Sequence, residues 1–220
     1  MNFLFGLPSI DGKYDAQVMR SIINQFAYIM EGHHSISCNL VHNTLIHKAR
    51  KQIAQNAIDE KSDYVFWIDS DMVLPNGTLE RLVSHDKDIV AGMYFSKKPH
   101  FGPIIYKGNY KGSYDQWIDY PKDELVEVDG IGMGITLIKT EVFKKMNDDW
   151  FDPYPKTKKN PVINGEDLAF CKRAQKKGFK IFVDTGLQAA HQTASYVTEA
   201  HFLKEREMIE QYMKEQEESK

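Results

Sequence analysis

The chain has 220 residues, 42% of them hydrophobic and 27% charged, with a formal net charge of −3. That length carries one substantial core, or at most two small ones, and the composition is that of an ordinary soluble globular protein. The small negative charge gives no general affinity for nucleic acid or an anionic membrane. The two cysteines, Cys38 and Cys171, have neither metal-site nor disulfide-framework spacing and read as buried or free thiols in a reducing, cytoplasmic setting.

Asn2 to Leu7 reads as a first buried strand, ended by Pro8-Ser9-Ile10-Asp11-Gly12. Asp15 to Met30 places Val18, Ile22, Ile23, Phe26 and Ile29 at a helical period. Ser35 to Val41 predicts a second strand. Thr44 to Glu60 predicts a helix with Leu45, Ala49, Ile53, Ala57 and Ile58 on one stripe. Tyr64 to Ile68 is a strand, Asn76 to His85 a short helix, and Asp88 to Tyr94 a further strand. Such alternation argues for an α/β fold with three layers and a mostly parallel central sheet. The texture changes over Lys97 to Asp123, where Gly, Tyr, Pro and Lys without helical period predict short antiparallel strands and loops, a small antiparallel addition.

Val126 to Ile131 and Ile135 to Lys139 are strand-like, separated by Gly132-Met133-Gly134. A short helix over Thr140 to Met146 follows, then a polar loop from Trp150 to Pro161. Glu166 to Lys177 predicts a helix stopped by Gly178, and Lys180 to Asp184 a last strand. From Ala194 to the end runs a charged, weakly amphipathic helix. No repeat or long linker divides the chain, so residues 1–195 are expected to form a single domain. Residues 196–220 are expected to form a C-terminal charged helix able to support a homo-oligomer. Met1 to Pro8 lacks a basic n-region and no segment approaches membrane-spanning length, so neither a signal peptide nor stable membrane insertion is expected.

The densest chemistry lies at Tyr64-Val65-Phe66-Trp67-Ile68-Asp69-Ser70-Asp71, an apolar strand that stops at two carboxylates. Residues spaced i, i+2 on a strand share a side, and ligands of open α/β sheets bind at the carboxyl ends of the strands. Paired carboxylates there suit a divalent cation carrying a phosphate, because hard cations want oxygen ligands. Gly165-Glu166-Asp167 opens a helix, where the helix dipole alone favours acids, and where a general base or a hydroxyl acceptor would also sit. His191 follows a strand end at a place where a further metal ligand could be supplied. Gly130-Ile131-Gly132-Met133-Gly134 permits close backbone approach to a ligand, or a tight hairpin.

In order and spacing these features resemble the GT-A glycosyltransferases, specifically the family 2-like enzymes. The matching residues run from Pro8 in the first strand, through Arg50, to Trp67-Ile68-Asp69-Ser70-Asp71-Met72-Val73. They continue with Asp88-Ile89-Val90-Ala91-Gly92, Gly132-Met133-Gly134, Gly165-Glu166-Asp167 and His191, across roughly residues 1–195. The resemblance implies a Rossmann-like GT-A fold and transfer of a sugar from a UDP- or GDP-linked donor to a hydroxyl acceptor. By that resemblance Pro8, Ser9 and Asp11 hold the base and ribose, and Ser70 belongs to the same nucleotide-sugar set. Asp69 bonds the ribose or the metal's shell, and Asp71 ligates Mn²⁺ or Mg²⁺ with His191 as second ligand.

By the same resemblance Arg50 would assist at the pyrophosphate, or else make a surface salt bridge, Gly132, Met133 and Gly134 would line the donor sugar, Asp167 would be the base and Glu166 would bind hydroxyls beside it. Trp150 and Phe151 are expected either to stack on a sugar face or to pack in the core. The acceptor, whether a saccharide, a protein or a modified nucleic-acid base, is expected to be read by residues 97–117 and 154–164. Lys156, Lys158 and Lys159 there could hold a polyanion. An Asp base suggests inversion, but retaining relatives also use a His after the last strand.

The rival reading is a haloacid-dehalogenase-type phosphatase with Asp69 as nucleophile and Asp71 as acid/base. In it the motif opens the domain and the later acids end a strand, whereas here two strands and two helices precede and Glu166-Asp167 starts a helix. A degenerate sugar- or nucleotide-binding module would lack the base and metal candidates present here. A nucleotidyltransferase would need a Gly- and Arg-rich loop that Pro8 to Lys13 does not supply.

Overall fold

Alternating side chains divide the core between two faces of one sheet. A computed structural model describes residues 1–108, 114–154, 165–193 and 196–218. Its elements are β1 (Asn2–Pro8), α1 (Ala16–Ile23), α2 (Phe26–Glu31), β2 (Ser35–Val41), α3 (Ile46–Asp59), β3 (Tyr64–Ile68), β4 (Met72–Val73), α4 (Thr78–Ser84) and β5 (Ile89–Met93). There follow β6 (Ile105–Gly108), β7 (Tyr114–Gln116), β8 (Leu125–Val128), β9 (Gly130–Ile131), β10 (Ile135–Lys139), α5 (Thr140–Lys145) and α6 (Glu166–Lys176). The last are β11 (Ile181–Gln188), β12 (Ala190–Gln192), β13 (Tyr196–Val197) and α7 (Glu199–Glu218).

The central sheet has the order β2-β1-β3-β10-β5-β11-β8. β1, β2, β3, β5 and β11 run one way, while β10 is antiparallel between β3 and β5, and β8 is antiparallel at the edge. Phe3, Phe5, Phe66 and Ile68 pack with Val18, Ile22, Leu79 and Leu82 on one face. Leu4, Val65 and Trp67 pack with Ile53, Phe143 and Phe170 on the other. The strand period of two thus feeds helices on both sides, the three-layer α/β arrangement expected from the sequence. Two small sheets, β13-β12-β4 and β7-β6-β9, are the antiparallel additions.

Three departures from the sequence reading have physical causes. The helix expected over Asp15 to Met30 is two, broken at Asn24 and Gln25. Buried Gln25 donates to the carbonyls of Ser21 and Pro75 and accepts from the Leu79 N–H, so it caps the start of α4. The strand expected over Val126 to Ile131 divides at Asp129, whose carboxylate accepts from the Gly108 N–H and Gln175. β8 therefore pairs with β11 while β9 pairs with β6. The last strand continues past Asp184 through a register shift to Gln188. Of the two expectations for Trp150 and Phe151 the structure shows core packing: Phe151 stacks on Phe170 at 5.0 Å and meets Trp67 edge-on at 5.4 Å, and both side chains are buried.

β13 pairs with β12, Phe202 of α7 stacks on Phe95 at 5.6 Å, and Arg206 pairs with Asp119 at 2.9 Å. Glu199 accepts from Tyr120 and Gln188. Among the described residues no helix is long and apolar enough to cross a membrane.

Candidate active site

The two acids after β3 do not lie on the strand. β3 ends at Ile68, and Asp69 to Met72 form a turn closed by the Met72 N–H on the Asp69 carbonyl at 3.1 Å. The turn sends the two carboxylates to different partners, so the shared face expected from i, i+2 spacing does not form. Asp69 accepts from Arg50 Nη2 at 2.8 Å, and Asp71 faces His191 and Lys97. Burial, reinforced by the neighbouring Asp71, pushes Asp69 above the usual carboxylate range in spite of Arg50. Burial also pushes Asp71 up, but hydrogen bonds from His191 and Lys97 outweigh it and hold Asp71 low.

His191 reaches Asp71 through a pairing that local sequence does not announce. β4, directly after the turn, runs antiparallel to β12, with His191 opposite Met72, and the Gln192 N–H bonds the Asp71 carbonyl at 2.8 Å. His191 Nδ1 lies 2.6 Å from the Phe95 carbonyl, which can only accept, so Nδ1 carries a proton. In the neutral ring the lone pair is then on Nε2, 3.5 Å from Asp71 Oδ2. A carbonyl holding one imidazole nitrogen and leaving the other free is the usual support of a metal-ligating histidine.

The carboxylate and imidazole donors of Asp71 and His191 fit Mn²⁺ or Mg²⁺. Among the described residues no group of three or more His, Cys, Asp and Glu converges. Asp69, expected as a further metal ligand, gives its Oδ1 to Arg50.

Arg50 is buried, and its Nε also meets Glu166 Oε1 at 3.3 Å. One guanidinium therefore ties the turn after β3 to the first turn of α6, rather than making a surface ion pair. Beside Glu166, the Asp167 carboxylate accepts the Leu168 N–H at 2.7 Å. Burial, with the Glu166 charge adding to it, pushes Asp167 up to about 6. A carboxylate that titrates there is ionised at neutral pH yet basic enough to take a proton from a hydroxyl.

Tyr94 was not singled out in the sequence. Its ring lies edge-on to His191 at 5.5 Å and its hydroxyl accepts the Gly134 N–H at 3.2 Å. Burial, and the charges of Asp69 and Asp167, push the phenol well up, so it stays protonated. A Cβ on Gly132 would lie 1.9 Å from that hydroxyl, so this glycine is required by Tyr94. Met133 is buried, which removes its side chain from any open lining. Gly132→Ala is expected to cost about 1–3 kcal/mol by overpacking, read as a lower midpoint in urea; a wild-type midpoint would show that Tyr94 yields.

The loop after β1 closes largely on itself. Pro8 and Ser9 are buried, the Ser9 hydroxyl lies 3.4 Å from Asp11 Oδ1, and Asp11 accepts the Lys13 N–H at 3.1 Å. Exposed Asp11 is held low chiefly by that N–H. Tyr14, which donates to the Pro8 carbonyl at 3.3 Å, brings the loop to the acids: burial and the charge of Asp69 push its phenol up. Ser70 is half-buried in the turn between the two acids. Lys156, Lys158 and Lys159 lie outside the described residues. A surface pocket of about 490 Å³, lined by Gln25, Tyr28, Asn76 and Glu80 among others, contains none of these groups, so pocket size does not mark the site.

The Anp1 family model matches residues 18–119. No curated protein matches the sequence. Among solved structures the chain is similar to A197 from STIV, with 19% identity over 88% of this chain and 86% of that one and a TM-score of 0.58. It also matches a Drosophila beta-1,4-galactosyltransferase 7 mutant solved with manganese, UDP-Gal and xylobiose. There the identity is 15%, the coverage 84% of this chain and 66% of that one, and the TM-score 0.46. The Anp1 match supports a glycosyltransferase, and the likeness to A197 shows a shared fold. The narrower family 2 label is not carried by them, and the phosphatase reading is not favoured. Asp69, the nucleophile in that reading, is tied to Arg50, and the later acids open a helix rather than end a strand.

Proposed function

We propose that this GT-A-like enzyme moves a hexosyl or related sugar from a UDP- or GDP-linked donor to a hydroxyl acceptor. One observation carries the reading: Asp71, His191, Asp167 and Arg50, from four distant segments, converge at the carboxyl edge of β3. Asp71 and His191 would hold Mn²⁺ or Mg²⁺, which when bound neutralises charge on the leaving nucleoside diphosphate. Asp167 accepts the proton of the attacking acceptor hydroxyl. Glu166 stays on Arg50 and fixes the start of α6, so the base is held at a set position relative to the turn after β3. Tyr94, protonated, buttresses His191 and the Gly132 to Gly134 backbone.

The Anp1 family is a mannosyltransferase family, which supports a hexose donor. The nucleotide-sugar and saccharide of the galactosyltransferase complex are that protein's ligands; a saccharide acceptor is proposed here on the acceptor-side base. Calorimetric titration with UDP and GDP, with and without Mn²⁺, tests the proposal. Metal-dependent binding of one nucleotide, lost in Asp71→Ala, is the expected result. Binding that is unaffected by Asp71→Ala would remove the metal assignment.

A further inference from the structure

Lys97, which plays no part in the reading above, occupies the position where a bound cation would be expected. It follows β5 on a turn closed by the Ser96 N–H on the Gly102 carbonyl at 2.9 Å, and by the Lys98 N–H on the Ser96 hydroxyl at 3.1 Å. The same short segment carries Phe95, whose carbonyl fixes His191. Lys97 Nζ donates to Asp71 Oδ2, the very oxygen that His191 Nε2 faces at 3.5 Å. Lys97 thus brings a cation to the carboxylate oxygen that the imidazole also faces. It is an ammonium on a flexible four-carbon stem. Both partners are about a third exposed, so it can leave Asp71 without backbone movement.

We propose that Lys97 is the resident cation of the donor site. It pairs with Asp71 while no metal is bound, competes with the divalent ion for that carboxylate, and passes to the diphosphate when the donor enters. The inference rests on the proposed metal and donor reading and adds to it a coupling between the two ligands. A diphosphate that draws Lys97 away frees Asp71 for the metal, and a metal that displaces Lys97 frees its charge for the diphosphate. By linkage each ligand then tightens the other by the same factor.

The test is titration of wild type, Lys97→Met, Lys97→Arg and Asp71→Asn with Mn²⁺, followed by electron paramagnetic resonance, with and without UDP or GDP. A partly exposed ion pair contributes up to about 1 kcal/mol, so Lys97→Met should bind Mn²⁺ alone about two- to fivefold more tightly than wild type. It should bind either nucleotide more weakly in metal-free buffer, and nucleotide should enhance its Mn²⁺ affinity less. Lys97→Arg should behave as wild type, and Asp71→Asn should not bind the ion. Equal or weaker Mn²⁺ binding by Lys97→Met, with wild type still binding, overturns the role of Lys97 and leaves the metal reading standing. Absence of Mn²⁺ binding in both overturns the two together.

Discussion

Replacing Asp167 by Asn is expected to slow sugar transfer by about 10²- to 10⁴-fold, and at the same time to make the fold more stable at pH 8. Asn keeps the size of the side chain and an oxygen for the Leu168 N–H, so only the charge and the basicity are lost. The wild-type carboxyl is pushed from 3.8 up to about 6, first by burial and then by Glu166. The activity limb follows directly. kcat/KM of the wild type should fall as pH drops below about 6, because the base takes up a proton, and the limb should vanish in Asp167→Asn. The stability sign is the opposite of that for a salt-bridged carboxylate. A folded pKa above the unfolded one means that the folded chain binds more protons between about 4 and 6. Stability therefore declines as pH rises through that window and stays lower above it, by on the order of 2 kcal/mol. The Asn variant escapes this penalty, so urea midpoints should separate at pH 8 and converge toward pH 4. Near wild-type transfer by the variant would sink the assignment of Asp167 as base. A function-bearing residue whose removal stabilises the protein is the expected pattern where a charge is held in a poorly solvating place.

Where the argument from sequence held, a long local pattern stood behind it. β3 alternates buried side chains and stops at Ile68, as Tyr64 to Ile68 predicts, and α3 and α6 carry the apolar stripes that place them on the sheet. Where it failed, a tertiary contact decided a short element. β4 and β12 have two and three residues, too few for any period to register, and yet their pairing sets His191 opposite Met72. The turn at Asp69 to Met72 likewise overrides the strand geometry that would have aligned the two acids. Lys97 lies in a stretch whose Gly- and Lys-rich texture reads only as loop; one clue was available, since β5 and β3 run the same way in the sheet and the residues just beyond their ends lie at the same sheet edge. Arg50 sits on the apolar stripe of α3 between Ala49 and Ile53, and a cation on a buried stripe must meet a carboxylate. That signal was legible, and it identifies Arg50 as buried without saying which acids it joins.

Those acids make Arg50→Met the substitution with the largest expected effect on the fold. Burial opposes the guanidinium charge, yet Asp69 and Glu166 outweigh it and keep Arg50 protonated. The ring of Trp67 lies 5.7 Å from the guanidinium carbon, and Nη1 is buried without a hydrogen-bond partner, so the residue already carries one unmet donor. Met fills the volume of the stem but leaves two carboxylates facing a site that poorly solvates them. Breaking a buried pair by removing one partner typically costs 3–5 kcal/mol. Asp69 and Glu166 keep 27% and 18% of their side-chain surface in solvent, which places the expected loss at the lower end, about 3 kcal/mol at pH 8. The pH dependence supplies the check on cause. Without Arg50 the pKa of Asp69, already raised by burial, rises further above its unfolded value. The variant then sheds its penalty as pH falls and Asp69 takes up a proton, so its urea midpoint should approach that of wild type toward pH 5. Arg50→Lys restores the charge but not the fork that reaches Asp69 and Glu166 together. It should recover part of the stability while transfer stays low, because the start of α6, and with it Asp167, is no longer tied to the turn after β3. A loss for Arg50→Met that is the same at pH 5 and pH 8 would mean that packing against Trp67, and not the two carboxylates, sets the cost.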